Sequence, residues 1–308
     1  LHFKATLDND VYHVHIPTRR PDILLEVDLI EEIARLYGYD RIPTTPLWGQ
    51  QTPGSLTREQ QQRRIIRNIL RTLGMSEVIT YSLTSSSLEG LLLSKGSPIR
   101  VMAPLSKERS VLRTSLLPSL VETASFNLHQ DQKAASLFEI GRVFKQGDGE
   151  EVLPEEDMEL AGILTQSRET HLWEKGQTEL FYKAKGILEA LLTRVGIENI
   201  EFVKVTEADG FHPGRTAQIV IDGSGLGIIG ELHPKLAKQY DLPKTVAFQL
   251  NLSRLGVKEE RLRYQSFARF PAVSRDLAII VESNISAGDI KKEIKRVAGS
   301  LLESISLF

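Results

Sequence analysis

The segment "SLFEIGRVF" (Ser136 to Phe144) decides how this chain folds. Leu137, Phe138, Ile140, Val143 and Phe144 fill it with strand-forming side chains, so it reads as a β-strand. The acidic stretch "GDGEEVLPEED" that follows (Gly147 to Asp157) reads as a surface loop, and "MELAGILT" (Met158 to Thr165) as the next strand. Strands dominate again from Ile200 to Leu252. Helices are expected between these strands, at Leu116 to Leu128 and at Glu179 to Val195, the latter with Phe181, Ala184, Ile187, Leu188, Leu191 and Leu192 inward. A strand near Val78 to Leu83, a short helix and a strand near Ile99 to Met102 complete the middle of the chain. The fold class is α+β with a largely antiparallel sheet.

Toward the N-terminus, Leu56 to Leu73 forms an amphipathic helix. Ile65, Ile66, Ile69, Leu70 and Leu73 make one stripe and Arg63, Arg67 and Arg71 a second. It follows "YDRIPTTPLWGQQTPGS", a stretch rich in Pro, Gly, Thr and Gln that marks a domain boundary. Before the linker, two short strands, Phe3 to Leu7 and Val11 to Ile16, flank the turn "DND", and a helix runs from Asp22 to Leu36 with Ile23, Leu29, Ile30, Ile33 and Leu36 on its apolar face. A second boundary falls near Glu259 to Tyr264, and the tail from Arg275 reads strand, helix, strand. The start at Leu1 and the apolar end "SLLESISLF" read as those of an excerpt from a longer protein. No run of about 18 apolar residues is present, so no membrane helix is expected. The sequence has 308 residues, no Cys and a net charge of -2. Lack of Cys excludes disulfides, thiolate zinc sites and cysteine nucleophiles, and fits a cytoplasmic location. The small net charge provides no global field for nucleic acid.

Motifs for common chemistries are missing. There is no phosphate loop, GxSxG, HExxH or calcium loop, and "GSGLG" (Gly223 to Gly227) reads as a hairpin turn. His13 and His15 alternate on one strand and read as ordinary strand residues. In "FHPGRTAQIVI" (Phe211 to Ile221), His212 and Arg215 flank a Pro213–Gly214 pair that suits a type II turn; whether they also serve function stays open. The arginine stripe is either a phosphate grip or a solvated face, and the aliphatic stripe is covered either by the chain's own sheet or by a partner helix.

The sharpest local signal lies in "RRPDILLEVDLIEEIARLYGYDRIP" (Arg19 to Pro43). Asp28, Glu31 and Glu32 occupy one helical face at i, i+3, i+4, and Asp22 sits at the helix start. A helix N-terminus attracts acids and accounts for Asp22, but that attraction fades within a turn and does not account for Glu31 and Glu32. Like charges on one face repel unless a cation joins them. A hard divalent ion such as Mg²⁺ takes oxygen ligands, so metal binding and simple solvation both remain open on spacing alone.

Six ordered blocks resemble one family, the β subunit of bacterial phenylalanine–tRNA ligase: "IPTRRPDILLEVDLIEEIARLYGYDRIP", "PLSKERSVLRTSLLPSLVETASFNLHQ", "LFEIGRVF", "FHPGRTAQI", "GIIGELHP" and "RFPAVSRDLAIIV". The resemblance implies four parts. Residues 1–42 are the later part of a small DNA-binding-like domain, and 43–57 a linker. Residues 58–263 are a class II aminoacyl-tRNA synthetase-like module, and 264–308 the truncated start of a ferredoxin-fold anticodon-binding domain. It implies an α2β2 enzyme that joins phenylalanine to tRNA(Phe) with ATP. It also implies a Mg²⁺ site shared with the α subunit, at Asp22, Asp28, Glu31 and Glu32. The helix carrying Ile65, Ile66, Ile69, Leu70 and Leu73 resembles the one that builds the inter-subunit helical bundle.

Class II enzymes hold ATP with an arginine after the strand matching "GRVF" and a second one after a Gly-rich strand. Here the first place reads Lys145, Gln146, Gly147, and "GIIGELHP" contains no arginine. Lysine does not reproduce the planar guanidinium fork. The chain is therefore expected to be a non-catalytic scaffold that seats the α subunit and positions tRNA, with ATP used only by the complete enzyme. Two rivals are a self-sufficient amino-acid-activating ligase, which the missing arginines oppose, and a free-standing RNA-binding module, which the charge balance opposes.

Overall fold

The computed structural model describes residues 2–50, 53–90, 92, 97–147, 153–167, 179–197, 199–255, 264, 269–282 and 285–307. The chain divides into two units, Leu1–Ser55 and Leu56–Phe308.

In the first unit, β1 (Lys4–Asp8) and β2 (Val11–His15) form an antiparallel hairpin. Asn9 and Asp10 turn the chain with positive φ, at 47° and 62°. Asn and Asp tolerate that region better than other side chains do, which suits a tight hairpin turn. Helix α1 covers Glu26–Tyr37 and ends where Gly38 takes φ 102°. It starts four residues later than expected. The Asp28 carboxylate turns back and accepts the Leu24 and Leu25 N–H groups, each at 2.8 Å, so the first turn is fixed at Glu26. Of the expected apolar face only Ile23 is buried; Ile30, Ile33 and Leu36 are exposed.

The second unit is built on a seven-stranded sheet in the order β3-β6-β7-β11-β10-β9-β8. Its strands are β3 (Ser76–Glu77), β6 (Ser136–Lys145), β7 (Glu155–Thr165), β8 (Ile200–Lys204), β9 (Phe211–Ile221), β10 (Ser224–Leu232) and β11 (Thr245–Asn251). Neighbours pair antiparallel except β3, which runs parallel to β6, so the sheet is mixed rather than purely antiparallel. A second small pair joins β4 (Leu83–Thr84) to β5 (Val111–Leu112). The strand expected at Ile99 to Met102 is reduced to one bridge, Arg100 to Val111.

Helices cover both faces of the large sheet. Phe138, Leu160, Leu164, Val246, Phe248 and Leu250 point to one side, where α2 (Arg58–Thr72) and α5 (Leu180–Arg194) pack. Leu137, Val143, Ala161, Ile163 and Ala247 point to the other, against α4 (Leu117–His129), which follows the short α3 (Ser86–Glu89), and against α6 (Pro234–Gln239). Burial on both faces explains why the central strands read as nearly continuous apolar runs. Gly162 makes room for the Phe248 ring on the next strand; a Cβ there would stand 2.3 Å from it.

The α2 stripe is split by this packing. Ile66 and Leu70 are fully buried in the chain's own core, and Ile69 and Leu73 are half-buried against it. The expected partner-helix role is corrected for Ile66 and Leu70, because α5 and the sheet already cover them. Ile65 remains 44% exposed. Arg67, from the second stripe, donates to Glu77 at 2.6 and 2.7 Å and so ties α2 to β3.

In the C-terminal tail the helix is present as α7 (Ala287–Ala298), whereas residues 269–282 and 302–307 form no strand. A strand needs a neighbouring edge, and among the described residues none pairs with these segments. The boundary expected at 259–264 falls mostly outside the described residues.

Ile66→Ala is expected to cost about 2–5 kcal/mol, the usual range for emptying a core site. Ile65→Ala is expected to stay within about 0.5 kcal/mol, as for surface changes. Urea unfolding of the two variants checks the division of the stripe.

Candidate functional site

Of the four acids, Asp22 and Glu32 are bridged by one arginine, Asp28 is turned back onto the helix start, and Glu31 is exposed. Arg20 Nε donates to both oxygens of Asp22 at 3.0 and 3.1 Å, and its NH2 donates to Asp22 Oδ2 at 2.7 Å. The same NH2 donates to Glu32 Oε1 at 2.9 Å, and Arg35 holds Glu32 Oε2 at 2.6 Å. Asp28 is occupied by the two backbone N–H groups at the start of α1. These donors pull the acids to their charged forms. Arg20 and then Arg35 bring the Glu32 carboxyl down to about 2, Arg20 lowers that of Asp22, and the Leu25 and Leu24 amides lower that of Asp28. Glu31 is exposed on the same helix.

A resident divalent ion does not fit this arrangement. Asp22 and Glu32 present their oxygens to guanidinium groups, and Asp28 presents an oxygen to its own backbone. Among the described residues no three His, Cys, Asp or Glu groups come together to hold a metal ion. That includes His13 and His15, both exposed on β2.

Ion pairs stand at the ends of two strands of the large sheet. Lys145, the last residue of β6, donates to Asp157 at 2.5 Å. At the end of β10, Glu231 accepts Arg215 at 2.9 and 3.1 Å and has Lys244 at 3.9 Å. The "FHPGR" segment is not the expected type II turn. It belongs to β9, whose register shifts so that His212 to Arg215 bulge opposite Glu231. Pro213 is tolerated there because a bulge needs no ladder donor. The His212 ring accepts the Gly214 N–H at 3.0 Å, and the His212 carbonyl accepts the Thr216 hydroxyl at 2.7 Å. The bulge borders an open cleft of about 820 Å³, lined in part by Phe211, Ile228, Glu207, Asp209 and His233. The lining holds two carboxylates and no lysine or arginine, which disfavours a triphosphate.

Sequence reading missed a buried polar network on the α4 side of the sheet. Arg113 donates to Glu139 at 2.8 Å, and both side chains are almost fully buried. The Thr80 hydroxyl donates to the other Glu139 oxygen at 2.7 Å, and Arg113 Nε to the Arg142 carbonyl at 2.8 Å. Gly141 is required beside it, since a Cβ there would meet Arg113 at 2.3 Å. Further along, the Ser115 hydroxyl donates to Gln249, whose Nε2 donates to Glu159, both at 2.6 Å. Glu89 accepts the Thr114 N–H at 2.7 Å and its hydroxyl at 2.6 Å. The signal was present in the sequence, as acids at 139 and 159 inside otherwise apolar strands.

Two outcomes check these readings. Glu139→Ala leaves Arg113 buried without its counter-charge and is expected to cost about 3–5 kcal/mol in urea unfolding. The Glu32 carboxyl, followed by NMR, is expected to titrate near 2. Because its folded pKa lies below the ordinary glutamate value of 4.5, its contribution to stability is present above about 4.5 and is lost as pH falls toward 2. Arg20→Gln is expected to move that midpoint up.

Residues 42–252 match the family described as the phenylalanyl tRNA synthetase beta chain CLM domain. Residues 1–39 match the tRNA synthetase B5 domain, and 268–308 the ferredoxin-fold anticodon binding domain. The chain is 44% identical over 312 residues to the phenylalanine–tRNA ligase beta subunit of Geobacillus kaustophilus, and 42% identical over 316 residues to that of Halalkalibacterium halodurans. Each match covers the whole of this chain and 39% of the relative. Among solved structures, the pyrrolysyl tRNA synthetase PylSc of Desulfitobacterium hafniense has a TM-score of 0.50 at 16% identity. That match covers 74% of this chain and 71% of that one, and it shows likeness of fold. By the match over 42–252, and by full-length identity to these subunits, the chain belongs to the phenylalanyl tRNA synthetase beta chain family.

Proposed function

We propose that this chain is a non-catalytic scaffold within a phenylalanine–tRNA ligase. It seats the α subunit of an α2β2 assembly and helps position tRNA(Phe), while the complete enzyme spends ATP to attach phenylalanine. The single observation that carries the non-catalytic reading is that neither strand the class II resemblance singles out is followed by an arginine. Lys145 is committed to Asp157, and "GIIGELHP" at the end of β10 contains no arginine, its Glu231 instead holding Arg215 of β9. Adenylation chemistry needs fixed positive groups aimed at developing phosphate charge. The lysine at the first place is already paired with Asp157, and the cations beside Glu231 at the second are already held by it.

In this proposal residues 1–42 form the acid-bearing domain, 43–57 the linker, 58–263 the class II-like module and 264–308 the beginning of the anticodon-binding domain. A cytoplasmic location goes with that role; among the described residues no helix is long and apolar enough to cross a membrane. A partner helix would meet α2 at Ile65 and at the outer edges of Ile69 and Leu73, the parts of the stripe that the core leaves accessible. Asp22, Asp28, Glu31 and Glu32 serve a Mg²⁺ ion only in the assembled enzyme, after their present partners let go.

The isolated chain is expected to show no phenylalanine-dependent ATP–pyrophosphate exchange, and to co-purify with a phenylalanine-specific α subunit. Exchange above background from host-enzyme-free material would overturn the non-catalytic reading, and failure to associate would overturn the scaffold reading. Ile65→Asp is expected to weaken that association at least tenfold while leaving the thermal unfolding of the isolated chain unchanged, since loss of one apolar contact at an interface is worth about 1.5–3 kcal/mol.

A further inference from the structure

We propose that the open cleft beside β9 and β10 is a binding site for a small organic cation, an ammonium group carried on an apolar body. The cleft lies wholly within the larger unit, and its use does not depend on the scaffold role.

A volume of about 820 Å³ falls within the range of small-molecule sites, which are mostly apolar with a few placed polar groups. Phe211, packed into the α4 side of the core, and Ile228 of β10 supply apolar surface. The loop from Val205 to Gly210 adds the acids and is tied down at three points. The Val205 N–H donates to the Thr216 carbonyl at 3.0 Å, the Phe211 N–H to the Ala208 carbonyl at 3.1 Å, and the His233 N–H to the Gly210 carbonyl at 2.8 Å. Gly210 takes φ 77°, which residues with a Cβ seldom adopt, as the chain turns into β9. The backbone carrying Glu207 and Asp209 is thus in place before a ligand arrives, which lowers the ordering cost of binding. Gln218 of β9 uses room that only a glycine at 225 leaves, since a Cβ there would stand 2.6 Å from its amide nitrogen. The His233 Nδ1 accepts the Lys235 N–H at 3.2 Å, so in the neutral ring Nε2 carries the proton and is a donor.

These groups discriminate among ligands by charge. Two carboxylates, with no lysine or arginine in the lining, repel phosphates and carboxylates and attract an ammonium. A metal ion does not suit them. Glu207, Asp209 and His233 share the cleft, yet among the described residues no three His, Cys, Asp or Glu groups come together to hold one. An ammonium needs no such convergence, because its three donors can reach separate oxygens. Its apolar body then lies against Ile228 and the accessible edge of Phe211.

The test uses the full chain, with 2-phenylethylamine as the probe. 2-Phenylethanol and 3-phenylpropionate serve as ligands of similar body with no charge and with the opposite charge. Binding is read from the Ile228 methyl and His233 ring signals in an NMR titration. The amine is expected to bind roughly three- to tenfold more tightly than the alcohol, a range set by the modest strength of exposed ion pairs, and the acid to bind least. Glu207→Gln combined with Asp209→Asn is expected to lower the amine to the affinity of the alcohol while leaving thermal unfolding unchanged. Added salt is expected to weaken binding of the amine and to leave the alcohol unaffected. Equal binding of amine and alcohol by the parent, or an amine affinity that survives the double substitution, would overturn the proposal. Ile228 and His233 signals that stay fixed through the amine titration would overturn it as well. Should the double variant fail to fold, amine binding that is indifferent to salt would by itself refute the proposal.

Discussion

The buried pair of Arg113 and Glu139 is the contact on which the larger unit turns. Glu139 lies on β6, next to the edge strand β3, and Arg113 on the long excursion that leaves the sheet after β3 and leads through α4 back to it at β6. Among its described residues the excursion before α4 has little regular structure: two strands of two residues each, one α-helix of four and one 3-10 turn of three. Few backbone ladders hold it, so side chains must. Arg113, Thr80 and Glu139 close the loop on itself, and Glu89 adds a second lock through Thr114. A charge buried among apolar residues is tolerable only when paired and hydrogen-bonded, which makes this contact demanding as well as fastening.

The acid-rich helix solves a different electrostatic problem with the same means. Five carboxylates in eleven residues would repel one another if left to solvent. The chain engages three of them locally: Asp28 at its own helix start, Asp22 and Glu32 with Arg20, and Glu32 also with Arg35. Each partner lies within twelve residues of its acid, so the arrangement is local. An acidic cluster thus carries no information about metals until its basic neighbours are placed.

Where periodicity reflected burial on two faces, the sequence was easy to read. Ser136 to Phe144 and Met158 to Thr165 are strands, and the helices α2, α4 and α5 begin and end within about two residues of expectation. Failures have physical causes. Pro213–Gly214 resembles a turn locally, but Thr216 and Glu231 pull the segment into a bulged strand. The apolar spacing of α2 showed that the stripe was covered and could not show by what; α5 lies more than a hundred residues downstream. The tail has strand-like composition, yet pairing depends on a neighbour that composition does not reveal. The Arg113–Glu139 pair was invisible for the same reason, since its members are 26 residues apart in unrelated motifs. At the acids, Arg19, Arg20 and Arg35 were all candidate partners by nearness in sequence, and it is Arg20 and Arg35 that meet Asp22 and Glu32, while the role of Asp28 as a cap required the helix start to be located.

The contact between Gly162 and Phe248 has a consequence for how this fold can diverge. The ring lies where a side chain on the adjacent strand would stand, so the two positions share one fixed volume. Neither can enlarge alone. A related chain that acquires alanine or serine at the first position must surrender the aromatic ring at the second, and one that loses the ring gains freedom at the glycine. The two sites should therefore drift as a coupled pair, invisible to any reading that treats positions one at a time, and their joint state would mark lineages within the family.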